Sequence, residues 1–139
     1  MIDLVSSFIM LASVFYSQPG TTVSPTPQAQ NMKQKTTEEL VRDYFADTPI
    51  LVEVARCEST FRQTDSTGKV IRGRVNEYDV GVMQINELYH ADKAEELGYD
   101  LHTIEGNMAY AKWLYEKESI VPWKSSSRCW KNSKEITRA

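Results

Sequence analysis

Thr48-Pro49-Ile50-Leu51-Val52-Glu53-Val54-Ala55-Arg56-Cys57-Glu58-Ser59-Thr60-Phe61 decides how this chain is read. A threonine followed by proline is a helix entry: the hydroxyl satisfies a free backbone N–H, and proline lacks the donor that its position could not use. Ile50, Leu51, Val54 and Ala55, with Phe61 beyond, recur at i, i+3, i+4 spacing and predict a helix with one buried stripe. Glu58 interrupts that stripe. Standing seven residues after Leu51, four after Val54 and three after Ala55, its carboxyl is expected to face inward. Burial raises a carboxyl pKa, the property a general acid needs near neutral pH. Periodicity alone leaves a plainer alternative open, a helix-end glutamate paired with Arg56 or Arg62.

Downstream, the turn formers around Gly68 in Thr64–Gly73 and the partial alternation of Arg74–Asn86 predict a small antiparallel β-element or irregular loop. Gly81 would permit close approach of a neighbouring element or a ligand, with Val82, Met83 and Ile85 in the core. Leu88, Ala91, Ala94 and Leu97 then predict a helix stopped by Gly98. Thr103–Glu118 predicts another, with Ile104, Met108, Ala111, Leu114 and Tyr115 on its buried stripe and Tyr110 and Trp113 on the flanks. Ile120–Trp130 has a proline break and a short helical turn. From Lys124 to Ala139 five basic residues face Glu135 alone, a composition that suits a solvated surface.

The chain has 139 residues, 41% hydrophobic and 25% charged, which suits one small domain. Its 16 basic and 19 acidic side chains give a net charge of −3, which argues against a nucleic-acid partner. Leu4–Tyr16 is uncharged but shorter than the roughly 20 residues of a membrane-spanning helix. Residues 1–16 therefore read as a secretory signal-like segment, although Met-Ile-Asp lacks the usual basic start. A short uncleaved anchor and a buried core helix are the alternatives. Residues 17–35, rich in Pro, Ser, Thr and Gln, read as a flexible linker, and 36–139 as the folded domain. The expected location is outside the cytosol: periplasmic, wall-associated or extracellular. There the two cysteines, Cys57 and Cys129, are expected to form a bridge.

Cys57-Glu58-Ser59-Thr60-Phe61 followed by Asp79-Val80-Gly81-Val82-Met83-Gln84-Ile85-Asn86 resembles the E-S-x-F and D-x-G-x-M-Q-I-N signatures of the lysozyme-like superfamily. The resemblance is nearest to the small specialised lytic transglycosylases of secretion and pilus systems. Asn107, Ala111 and Leu114 are similar to the N-x-x-x-A-x-x-L helix that follows in those enzymes, so the likeness spans about Ile50 to Leu114. It implies an α+β, mainly α, lysozyme-like domain that cleaves the β-1,4 bond between N-acetylmuramic acid and N-acetylglucosamine in peptidoglycan. An envelope-spanning secretion or pilus machine is the implied protein partner. No cofactor and no metal are expected.

Such cleavage requires protonation of the leaving oxygen while the sugar ring becomes an oxocarbenium ion. The resemblance implies that Glu58 donates that proton, that Ser59 and Gln84 bind saccharide or orient Glu58, and that Gly81 lets the polymer lie against backbone. Asn86 belongs to the same wall. The family's Ala-Tyr-Asn near the domain end is missing here, and Tyr110 or Tyr115 is the candidate substitute. Asp79 occupies the place where lysozymes carry their second carboxylate. Two outcomes stay open: lytic chemistry with Glu58 as acid and then base, or hydrolysis with Asp79 as a second catalytic group. A catalytically idle glycan-binding module is a third possibility. His90 and His102 have no compact metal-ligand spacing and read as surface residues.

Overall fold

The computed structural model describes residues 34–133. The chain divides into two units, Met1–Met32 and Lys33–Ala139, and every described residue lies in the second. The signal-like segment, most of the linker and the basic residues from Lys134 onward lie outside the described residues. Among the described residues no helix is long and apolar enough to cross a membrane.

The domain is mainly helical with a small two-stranded sheet. Helix α1 (Thr37–Tyr44) precedes α2 (Pro49–Ser59), and the strands β1 (Asp79–Val80) and β2 (Ile85–Asn86) come next. They are followed by α3 (Glu87–Glu96), α4 (Ile104–Glu118), a 3₁₀ segment (Val121–Ser126) and α5 (Ser127–Trp130). Nothing in the hydrophobic stripe announces α1, yet its start is written in Thr36-Thr-Glu-Glu39. The Thr36 hydroxyl accepts from Glu39 N–H while the Glu39 carboxylate accepts from Thr36 N–H, so two free donors are satisfied reciprocally.

Helix α2 begins at Pro49 as expected, although the Thr48 hydroxyl donates to Asp47 instead of capping. It stops because Thr60 and Phe61 both take left-handed backbone, at φ 55° and 57°. Leu51, Val52, Val54 and Ala55 are buried, and Ile50 and Phe61 pack at the edge of the same core. Helix α2 lies against α1, α5 and the 3₁₀ segment. Cys57 is bonded to Cys129 of α5, with Cα atoms 6.0 Å apart.

The segment between α2 and α3 is largely irregular. Isolated bridges join Thr64 to Val70 and Arg72 to Val80, and β1 pairs antiparallel with β2 in the register Asp79 to Asn86, Val80 to Ile85. The apolar stripe expected of α3 needs correction: only Ala94 is buried, and Leu88 is 62% exposed. This helix covers the end of the small sheet and adds little to the core. In α4, capped by Thr103, the buried set is Gly106, Asn107, Met108, Tyr110, Ala111 and Leu114. Tyr110 is fully buried, not on the flank.

Candidate active site

The turn between β1 and β2 is short, apolar and buried, so its backbone polar groups need partners that strand pairing does not supply. Three side chains from different parts of the fold provide them. Gln63 accepts from Val82 N–H at 2.8 Å and donates to the His102 carbonyl at 3.0 Å. Asn107, on α4, accepts from Met83 N–H at 2.9 Å and donates to the Val80 and Leu101 carbonyls. Trp123 Nε1–H donates to the Met83 carbonyl at 2.9 Å. The turn is thereby tied to α4, to the loop after α2 and to the 3₁₀ segment.

That turn presents Gln84 in left-handed backbone (φ 49°), its side-chain amide donating to the Gly81 carbonyl at 2.8 Å. Beside it stands Asp79, whose Oδ1 accepts from Asn86 Nδ2 at 2.7 Å and Asn76 Nδ2 at 3.2 Å. Gly73 lets the intervening loop close over this corner, because a Cβ there would lie 2.3 Å from the Asn76 carbonyl oxygen and 3.2 Å from Gln84 Oε1.

Glu58 projects from the last turn of α2 toward Asp79 and Gln84, half-buried. Its two arginine neighbours are engaged elsewhere: Arg56 with the buried carboxylate of Glu53 at 2.8 Å, and Arg62 Nε with the Ser59 carbonyl at 3.0 Å. Burial holds the Glu58 pKa above the ordinary 4.5; a hydrogen bond from Ser126 opposes the shift, and the charge of Asp79 adds to it. The helix-end ion pair left open by periodicity is not formed.

Two lobes of one cleft meet at this corner. The larger, about 1360 Å³, runs along the 68–76 loop, and the smaller, about 320 Å³, runs toward α3 and the end of α4. Glu58, Asp79, Gln84 and Ser125 border both. Of the residues singled out in the sequence, Asn86 borders the smaller lobe, its amide committed to Asp79.

Three other assignments to saccharide binding are corrected by their surroundings. Ser59 is buried, its hydroxyl donating to the Ala55 carbonyl and accepting from Arg62 N–H, so it shapes the end of α2. Gly81 (φ 72°) meets Asn107 and Gln63 instead of a ligand: a Cβ there would stand 2.4 Å from Asn107 Nδ2. Tyr110 is enclosed, its hydroxyl 2.9 Å from His90 Nδ1. His90 is half-buried and borders the smaller lobe, while His102 pairs with Glu87. Sequence reasoning missed Ser125, Ser126 and Trp123 at the site. The one available signal was the Pro122-Trp123 break, since a tryptophan fixed after a proline needs somewhere to put its N–H.

Comparison with protein-family models, with curated proteins and with solved structures finds no match for the chain.

Proposed function

We propose that this protein has a lysozyme-like fold and cleaves the β-1,4 bond between N-acetylmuramic acid and N-acetylglucosamine in peptidoglycan, as a lytic transglycosylase. The observation that carries the reading is Glu58: a half-buried carboxyl, raised in pKa, free of its arginine neighbours and standing where two lobes of a cleft meet. A polymer laid through both lobes passes its scissile bond over that carboxyl. Glu58 in its acid form protonates the glycosidic oxygen, and the C1–O bond breaks with positive charge on the muramyl ring. The C6 hydroxyl of the same ring then attacks C1 and gives its proton to the Glu58 carboxylate, leaving a 1,6-anhydro end and restoring the acid. Gln84 is suited to hold the sugar opposite Glu58. Asp79, aimed by two asparagine amides, faces the developing cation. The setting is outside the cytosol, which agrees with the Cys57–Cys129 bridge, and the partner class is an envelope-spanning secretion or pilus machine.

One observation favours a second reading, hydrolysis with two carboxylates: Asp79 borders both lobes together with Glu58. Mass spectrometry of products from purified peptidoglycan separates the two. The expected products carry 1,6-anhydromuramic acid, and Glu58→Gln lowers the rate by about a hundredfold or more. Ordinary reducing-end muramic acid, with Asp79→Asn as damaging as Glu58→Gln, replaces the lytic mechanism with the hydrolytic one. A wild-type protein that binds strands without cutting them ends the enzymatic reading.

A further inference from the structure

The two lobes differ in charge as well as in size. Besides the shared Glu58 and Asp79, the larger lobe is bordered by Arg62, Lys69, Arg72 and Arg74 against the single carboxylate of Asp65. The smaller has no Lys or Arg at all; Glu118 adds a further carboxylate, and Tyr89, Leu114, Pro122 and Trp123 supply apolar surface. His90 does not change that balance, because burial lowers its pKa and favours the neutral ring, with Glu118 opposing.

Not every cation of the larger lobe is available. Arg72 bridges the Glu87 carboxylate at 2.5 Å and the Glu77 carbonyl at 2.9 Å. Asp65 in turn spends Oδ1 on the N–H groups of Thr67 and Lys69 and on the Thr67 hydroxyl, which fastens the turn. Among the described residues Arg62, Lys69 and Arg74 stand in no salt bridge. Lys69 shares its surroundings with Asp65, whose pKa it helps to lower, but cations still outnumber carboxylates on this concave wall while the smaller lobe has no Lys or Arg, so the potential there is the more positive of the two and draws anions to it. Next to Arg74, Val75 is fully exposed at the same wall. An apolar side chain beside Arg74 matches a ligand that carries both methyl groups and anionic groups.

We propose that the larger lobe is an anion-recognising subsite that takes the carboxylate-bearing peptide substituent of a muramyl residue, while the smaller lobe seats uncharged sugar. This rests on the peptidoglycan reading above. The sugar rings of such a strand are neutral, and the anionic groups hang from the muramyl side chain as the carboxylates of its peptide. Those carboxylates reach Lys69 and Arg74 on the larger side of Glu58 and meet only Glu118 on the smaller. The strand is therefore placed in one direction, with its peptide-bearing unit on the cationic side of the bond that is cut.

The test uses the full chain and a Lys69→Gln/Arg74→Gln variant, both changes being at exposed positions that leave the core untouched. Three substrates are compared: strands with free peptide carboxylates, the same strands with those carboxylates amidated, and amidated strands carrying a phosphodiester polymer. The variant is expected to lose about tenfold in kcat/KM on free-carboxylate strands, through KM, and to match wild type within about twofold on both amidated substrates. Raised ionic strength shrinks the wild-type preference toward the variant's. Equal losses on free and amidated strands, or no loss on either, overturn the proposal; a loss confined to phosphodiester-bearing strands reassigns the anion to phosphate and also overturns it. If wild type cuts none of the substrates, the peptidoglycan-cleavage reading fails by itself. Calorimetric binding to the Glu58→Gln chain then decides the subsite: preference for free carboxylates, abolished by the double change, supports it, and equal binding refutes it.

Discussion

Asn107→Ala removes a side chain that is fully buried and makes three hydrogen bonds, to Val80, Met83 and Leu101. At about 1 kcal/mol net for each bond, the direct loss is about 3 kcal/mol. The Met83 N–H, left without its acceptor in a buried turn, keeps the true cost from falling much below that figure. Stabilities of small domains are about 5–15 kcal/mol, so a change of this size removes a large share of the total. For a domain of about 100 residues it corresponds to a fall in Tm of about 12–24 °C. Urea denaturation followed by tryptophan fluorescence suits the measurement, because Trp123 is bonded to the same Met83 residue through its carbonyl. Asn107→Asp should be no rescue: it keeps an acceptor for Met83 N–H but sets carboxylate oxygen against two carbonyls. A loss below about 1 kcal/mol in Asn107→Ala would refute the claim that this side chain fastens the turn carrying Gln84.

Glu58 binds a proton in the folded state at pH values where an unfolded glutamate has released it, since burial raises its pKa. Stability attributable to it therefore falls as pH rises from the unfolded value, near 4.5, through the raised folded one, and Glu58→Gln should be the more stable protein at pH 7.5 with the advantage vanishing below pH about 4. Thermal melts across that range check it, and a constant difference would count against the desolvated carboxyl. Glycan cleavage should decline with rising pH through the same raised pKa, later than an ordinary glutamate would allow, as a rate profile would record. Replacing Cys57 and Cys129 with serine should cost about 4 kcal/mol in the chain-entropy picture of a crosslink spanning a separation of 72. Denaturant midpoints equal to wild type would show that the bridge restrains little.

The parts of this domain that were legible in the sequence are those where one local rule acts alone. Thr48-Pro49 and the stripe through Leu51, Val54 and Ala55 mark α2, and the same stripe aims Glu58 at the interior. Thr103 and the spacing from Met108 to Leu114 mark α4. The stripe in α3 misled because apolar spacing reports only a preference for burial, and the small sheet offers too little surface to cover Leu88 and Leu97. Helix α1 escaped notice because its signal is a capping box, Thr36 with Glu39, and not periodicity. At the site, motif membership assigns Ser59 and Gly81 to sugar, and Tyr110 stands in for the family's missing tyrosine. Their roles are internal: a motif holds the residues that build a wall together with those that face across it, and only the fold separates them. Gln63, Asn107 and Trp123 fasten the turn across separations of 19 to 40 residues, which no window on the sequence brings together.

The Cys57–Cys129 bond also determines how the domain responds to a protease. Every residue bordering the cleft lies between Glu58 and Ser125, inside the loop of chain that the bond closes. Among the described residues, the exposed stretch around Arg74, Val75 and Glu77 offers a protease a site inside that loop. A single cut there severs the backbone but releases no fragment, because the halves stay joined through sulfur. The nicked molecule would migrate as one species until reductant was added and would then separate into two, with Glu58 on one piece and Asp79 on the other.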